Sequence, residues 1–247
     1  GHTQLSASAV RRKSKDAMNY AFILQEIGKC DCVFAGLSHT TGEVILAAQT
    51  FIGMDEGIST VSGVGIMDIP GYEGENGTLL AFSDAAVCVS PSAEELADIA
   101  ISTCGTVKAL LGWEPKCALL SYSSDGSAES ELVDKVRQAV AIANEKCPGY
   151  AIDGEFQLDT AISPAVAAKK VRRESRVAGH ANIIIYPDIN AGNIGVKLVQ
   201  LFAHADAYGP MLQGFAKPVS DCSRSAPISE LVGNIIMLAV RTKQSKA

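Results

Sequence analysis

Apolar and polar positions alternate along this chain in two rhythms, and the two rhythms take turns. Residues 16–28 read as an amphipathic helix stopped by Gly28. The short apolar run Cys32-Val33-Phe34-Ala35 then predicts a strand. Residues 60–68 and 79–82 are β-rich runs separated by the turn-rich Pro70-Gly71-Tyr72-Glu73-Gly74-Glu75-Asn76-Gly77, which predicts a hairpin. Ser92 with Glu95 three residues on has the form of a capping box and opens a helix to about residue 111. A strand is expected at 116–122 and a helix at 129–147, ended by Pro148-Gly149. Ile183-Ile184-Ile185-Tyr186 has no polar alternation, as in a strand buried on both faces. A turn-rich stretch follows at 187–193, then a helix from Ile194, a strand within 205–214 and a last helix at 229–241. No internal repeat or low-complexity segment interrupts the series. Helix and strand patterns joined by short Gly/Pro/Asp-rich links predict an α/β protein with mostly parallel sheets.

Composition narrows the classes. The 247 residues fit one large domain or two smaller ones, and 47% apolar with 19% charged residues supplies material for a real core. A formal net charge of −6 argues against a nucleic-acid backbone as partner. No apolar run is long enough to cross a bilayer and no signal peptide opens the chain, so no membrane partner and a cytoplasmic location are expected. Seven cysteines, odd in number and mostly within apolar stretches, read as reduced buried thiols. Cys30-Asp31-Cys32 has no second pair to complete a zinc site, so no metal is expected.

Five features carry possible chemistry. The glycine-bearing stretch 188–195 follows the buried strand, where open α/β sheets place ligands and where a helix start offers N–H groups to an anion. Glycine-bearing strand-to-helix loops are common, so the stretch also reads as an ordinary tight connection. Asp221-Cys222-Ser223-Arg224 sets a hydroxyl beside a guanidinium fork, a combination suited to a phosphate or a polarised carbonyl oxygen. Glu230, in the first turn of the last helix, is either a base for a thiol or a charge complementing the helix dipole. His39 follows a strand, but no triad is legible in the spacing of the histidines. The cluster Lys169-Lys170-Val171-Arg172-Arg173 reads either as a solvated face or as a partner for a ribose phosphate.

Taken together, the segments resemble the phosphate acetyltransferase (phosphotransacetylase) branch of the phosphate acetyl/butyryltransferase family. The resemblance runs through 93–100, 119–123 and 153–159, then Val177-Ala178-Gly179-His180-Ala181-Asn182 and Tyr186-Pro187-Asp188. It continues with Gly192-Asn193-Ile194-Gly195, Gly209-Pro210-Met211-Leu212-Gln213-Gly214, Lys217-Pro218 and Asp221-Cys222-Ser223-Arg224. It implies two αβα domains with the active site in the cleft between them. It also implies interconversion of acetyl-CoA plus phosphate with acetyl phosphate plus coenzyme A, by direct attack of the CoA thiolate. Coenzyme A is then a substrate, the partners are small molecules (acyl-CoA, phosphate, acyl phosphate), and the expected assembly is a homodimer or higher homo-oligomer.

By the same resemblance Ser223 and Arg224 are the active-site Ser-Arg pair, and Glu230 stands where the family has an aspartate proposed to deprotonate CoA. Thr41, Lys197 and Asn193 are the expected CoA- and phosphate-binding residues. Residues 1–58 with 222–247 are expected to form a partial first domain, and 59–221 the second. Two departures stand out. Leu46 occupies the position of an arginine that helps hold the acyl phosphate, and the chain begins well inside the family's usual length. They leave open two alternatives: a butyryl or other acyl specificity, and a non-catalytic CoA-binding paralogue or fragment.

Overall fold

The computed structural model describes residues 5–222, 226 and 228–244, apart from the side chains of Ser229, Glu230 and Gln244. These form two compact units. One holds the described residues up to Val61 and from Gly209 onward; the other is Ser62–Tyr208. The segment 209–221, expected with the second domain, is therefore grouped with the first.

The first unit opens with helices α1 (Ala7–Lys13) and α2 (Ala17–Glu26), strand β1 (Val33–Ala35) and helix α3 (Thr41–Phe51). Asp16 caps α2 by accepting the Asn19 N–H at 2.8 Å, and Gly28, at φ +73°, follows its end as the sequence implied. The sequence pattern predicts no helix over α3, whose first residues include the poor helix formers Thr41 and Gly42. Its start is a complete capping box: Glu43 N–H donates to Thr40 Oγ1 at 3.3 Å and Thr40 N–H to Glu43 Oε2 at 2.7 Å. Phe22, Val44, Ala48, Phe51 and Ile52 are buried in this unit.

The second unit is built on a six-stranded sheet. The chain runs through β2 (Ser62–Asp68), β3 (Leu79–Ser83), α4 (Ala93–Leu111), β4 (Lys116–Leu120), α5 (Glu131–Lys146) and β5 (Ala151–Phe156). It continues with α6 (Leu158–Ile162), α7 (Pro164–Lys170), β6 (Ile183–Ile185), α8 (Ile189–Phe202) and β7 (Asp206–Gln213). The strand order is β5-β4-β6-β3-β2-β7. β2 and β3 pair antiparallel, as the hairpin reading required, while β3–β6, β6–β4 and β4–β5 are parallel.

Side-chain alternation explains why the central strands are apolar throughout. Leu80, Phe82, Ala118, Leu120 and Ile184 join one buried cluster with Ala161 of α6 and Ala167 of α7, while Ile183, Ile185, Cys117 and Leu119, on the opposite face, are fully buried too. There Cys104 of α4 meets Cys117, and burial pushes its thiol up. Lys146 of α5 reaches the buried Asp98 of α4 at 2.7 Å. Ser92 and Glu95 form the expected capping box on α4.

The chain then returns through β7 to the first unit, where β8 (Val219–Asp221) pairs parallel with β1, and it ends in α9 (Ile228–Gln244). Gln25 donates to Pro218 O at 2.8 Å and Lys217 to Glu26 Oε2 at 2.8 Å, tying α2 to the entry of β8. Among the described residues no helix is long and apolar enough to cross a membrane.

Candidate active site

In the first unit the short parallel pair β1–β8 ends at Ala35 and Asp221, which face each other in register. The carboxyl end of a parallel pair is where α/β folds place ligands. Three ties gather there. Cys222 N–H donates to Ala35 O at 3.0 Å, and its thiol lies 3.4 Å from the same oxygen. Gly36 has φ +116°, and a Cβ there would sit 2.3 Å from Cys222 O. Only glycine lets the two backbones meet this closely. Thr41, the first residue of α3, donates its hydroxyl to Asp221 Oδ2 at 2.6 Å. Asp221 is 4% exposed; burial pushes its carboxyl up and the Thr41 hydroxyl partly offsets this.

The predicted Ser223 and Arg224 follow Cys222 directly in sequence but lie outside the described residues. Glu230 lies in the first turn of α9, and its side chain is also outside them. Of the predicted site residues in this unit, Thr41 is the one whose contacts are described. Asp221 was missed as a participant. Its only signal was its place beside the Ser-Arg pair, since its partner lies 180 positions away.

His39 stands in the loop between β1 and α3. Ser38 Oγ lies 3.0 Å from its Nδ1, and its Nε2 is 3.5 Å from Asp16 Oδ2. Asp16 is held below the usual carboxylate range chiefly by the Asn19 N–H, with His39 assisting. His39, Asp16, Lys13, Glu43 and Leu46 line a cavity of about 230 Å³ within this unit. Leu46 is 62% exposed on α3, so the position assigned to an arginine is an open one.

In the second unit the predicted glycine loop takes a different form. α8 begins at Ile189, five residues before the expected Ile194. Asp188 caps it, accepting the N–H groups of Asn190 at 2.9 Å and Ala191 at 3.0 Å. These donors, expected to await an anion, are already paired. Gly192 is a helical residue, and a Cβ on it would lie 2.3 Å from Asp84 O, so its role is close packing. Asn193 and Lys197 are exposed on α8, with Lys197 Nζ 3.3 Å from Gln200 Oε1.

Sequence reading also passed over Asp84, 3% exposed at the end of β3. Burial pushes its carboxyl up, although it accepts N–H bonds from Cys88 at 2.7 Å, Ala86 at 2.8 Å and Val87 at 3.2 Å. The basic cluster is partly committed: Arg173 spans Asp125 at 2.8 Å and Asp153 at 2.7 Å, and Lys170 reaches Asp159 at 2.9 Å. Among the described residues no group of three or more His, Cys, Asp or Glu is placed to hold a metal ion.

The family model described as phosphate acetyl/butaryl transferase matches residues 1–239. A phosphate acetyltransferase of Clostridium acetobutylicum is 43% identical over 244 residues, covering 98% of this chain and 73% of that protein. One of Thermoanaerobacterium thermosaccharolyticum is 45% identical over 230 residues, covering 93% of this chain and 70% of that protein. A crystal structure of a phosphotransacetylase from Streptococcus pyogenes superposes with a TM-score of 0.86 at 36% identity, over 94% of this chain and 68% of that one. On these matches the chain belongs to the phosphate acetyl/butaryl transferase family and is an enzyme of the phosphate acetyltransferase kind.

Proposed function

We propose that this chain interconverts acetyl-CoA plus phosphate with acetyl phosphate plus coenzyme A, the CoA thiolate attacking the acetyl carbon directly. The thiolate–carbonyl bond forms as the bond to the phosphate oxygen breaks, and phosphate leaves with the electron pair. The observation that carries this reading is 43% identity to a phosphate acetyltransferase over 98% of this chain and 73% of that protein. In sequence, Ser223 and Arg224 stand two and three residues after Asp221, the last residue of β8.

In this reading Arg224 holds the phosphate oxygens through its planar fork, and Ser223 adds a short hydrogen bond. Glu230 takes the thiol proton, which serves the reaction because a free thiol of pKa near 8.5 is mostly protonated at neutral pH. Asn193 and Lys197 contact coenzyme A, which is a substrate here.

The test is a coupled assay for acetyl-CoA formed from acetyl phosphate and CoA, run beside a CoA-binding titration. Arg224→Ala should remove nearly all turnover, and Arg224→Lys should recover little, since an ammonium cannot replace a bidentate fork. Glu230→Gln should lower turnover while CoA affinity stays nearly constant. One observation favours a second reading, a protein that binds CoA without turnover: the open position assigned to an arginine carries Leu46. Leu46→Arg decides between them. A rise of about tenfold, roughly 1.4 kcal/mol, indicates a weakened but intact site. CoA binding without transfer in both parent and variant removes the enzymatic reading.

A further inference from the structure

Asp221 is a carboxylate set almost entirely out of water, and its side chain accepts a hydrogen bond from a threonine 180 positions away in sequence. Burying such a group is costly unless it is hydrogen-bonded. Thr41 supplies that bond at 2.6 Å from the first turn of α3. A threonine hydroxyl has a single proton to donate. With that proton given to Asp221, Thr41 cannot at the same time donate it to an ionised phosphate oxygen, which is an acceptor. The next residue, Cys222, is fixed by its N–H bond to Ala35 O and by backbone contact with Gly36. The last two described residues before Ser223 and Arg224 are thus anchored to two different elements, α3 and β1.

We propose that Asp221 is a positioning residue, holding the segment that leads into Ser223 and Arg224 against the first turn of α3 through the hydroxyl of Thr41. The proposal rests on the acetyl-transfer reading above and reassigns Thr41 from contacting substrate to aligning the residues that do. Thr41→Val keeps the side-chain volume, removes the donor and leaves a buried carboxylate without its bond. Thr41→Ser keeps the donor. Asp221→Asn keeps an amide oxygen that accepts the same proton but loses the charge that strengthens the bond.

The experiment measures kcat, and KM for CoA and acetyl phosphate, in the full chain and these three variants, with Thr41→Val/Asp221→Asn as a fourth. Thermal midpoints are recorded for each. Thr41→Val is expected to lower kcat by about tenfold or more, with both KM values within about twofold. Thr41→Ser should recover most of that loss, and Asp221→Asn alone should lower kcat about threefold. The double variant should be no slower than Thr41→Val, because residues acting as one unit are not additive.

An unchanged kcat in Thr41→Val overturns the proposal, as do losses that multiply in the double variant. A rise confined to KM for acetyl phosphate also overturns it, since that marks direct substrate binding. If Thr41→Val does not fold, an unchanged kcat in Asp221→Asn is equally decisive. A parent chain with no transfer at all fails the functional reading first; an active parent with indifferent variants fails this inference alone.

Discussion

Glu155 keeps its charge almost wholly out of water, at 2% exposure, because donors converge on it from three directions. Desolvation alone would push its carboxyl up. Arg137 reaches it through Nε at 3.0 Å and Nη2 at 3.2 Å, the Gly126 N–H donates at 3.0 Å and Ser123 Oγ at 2.8 Å, and together they bring it down from 4.5 to about 2. Its value in the folded chain is thus below its unfolded one. The stabilisation is complete above about 4.5 and is lost as pH falls toward about 2. The urea midpoint of the parent should therefore drop across this window. In Glu155→Gln that drop should be smaller, and equal slopes in both proteins would assign the acid sensitivity to other groups. Gly36 makes a second prediction at a single position. Gly36→Ala puts a Cβ 2.3 Å from Cys222 O on a backbone at φ +116°, so it should destabilise by more than about 1 kcal/mol. Urea titration measures that loss, and an unchanged midpoint would mean the β1–Cys222 contact can relax. Neither site was readable from spacing. Asp153-Gly154-Glu155 was visible as a motif, but the partners of Glu155 come from positions 18 and 32 residues away.

The helices show why some segments were legible and others not. α4 announces itself, since Ser92 and Glu95 satisfy each other locally and nothing distant is needed. α8 does not, because its first residues, Asn190, Ala191, Gly192 and Asn193, have the composition of a loop. Tertiary packing overrides that weak propensity. Gly192 lies against the Asp84–Ala85 backbone, with a Cβ position 2.3 Å from Asp84 O and 2.9 Å from Ala85 Cα. β5 was missed for a related reason: Asp153 and Glu155 break its apolar pattern, and both are absorbed by arginines, Arg173 and Arg137. Gly192→Ala offers a direct check on the packing argument. On an isolated helix it would be favourable by about 1 kcal/mol. Here the new methyl must displace α8 from the loop after β3, so a lower thermal midpoint is expected. A gain would mean that the loop yields and that propensity decides.

A prediction for whole chains starts from what α8 leaves uncovered. Ile194, Leu198, Leu201 and Phe202 are 58%, 49%, 68% and 79% exposed, and their spacing places them on one face of the helix. A contiguous apolar stripe of this kind marks an interaction site more often than a free surface. Most oligomers are symmetric homo-oligomers, two-fold dimers above all, in which each copy brings the same patch to the other. We therefore expect a homodimer with α8 in the contact. Phe202→Glu, at the most exposed position of the stripe, would set a charge inside that contact in both copies and should shift the sedimenting species to monomer at micromolar concentration. The same substitution leaves β6 and the buried cluster beneath α8 untouched, so the circular-dichroism spectrum should remain that of the parent. A dimer that survives both Phe202→Glu and Leu198→Glu would move the interface elsewhere. Val232, Ile235 and Ile236 of α9, exposed at 50%, 49% and 57%, would then be the next surface to mutate.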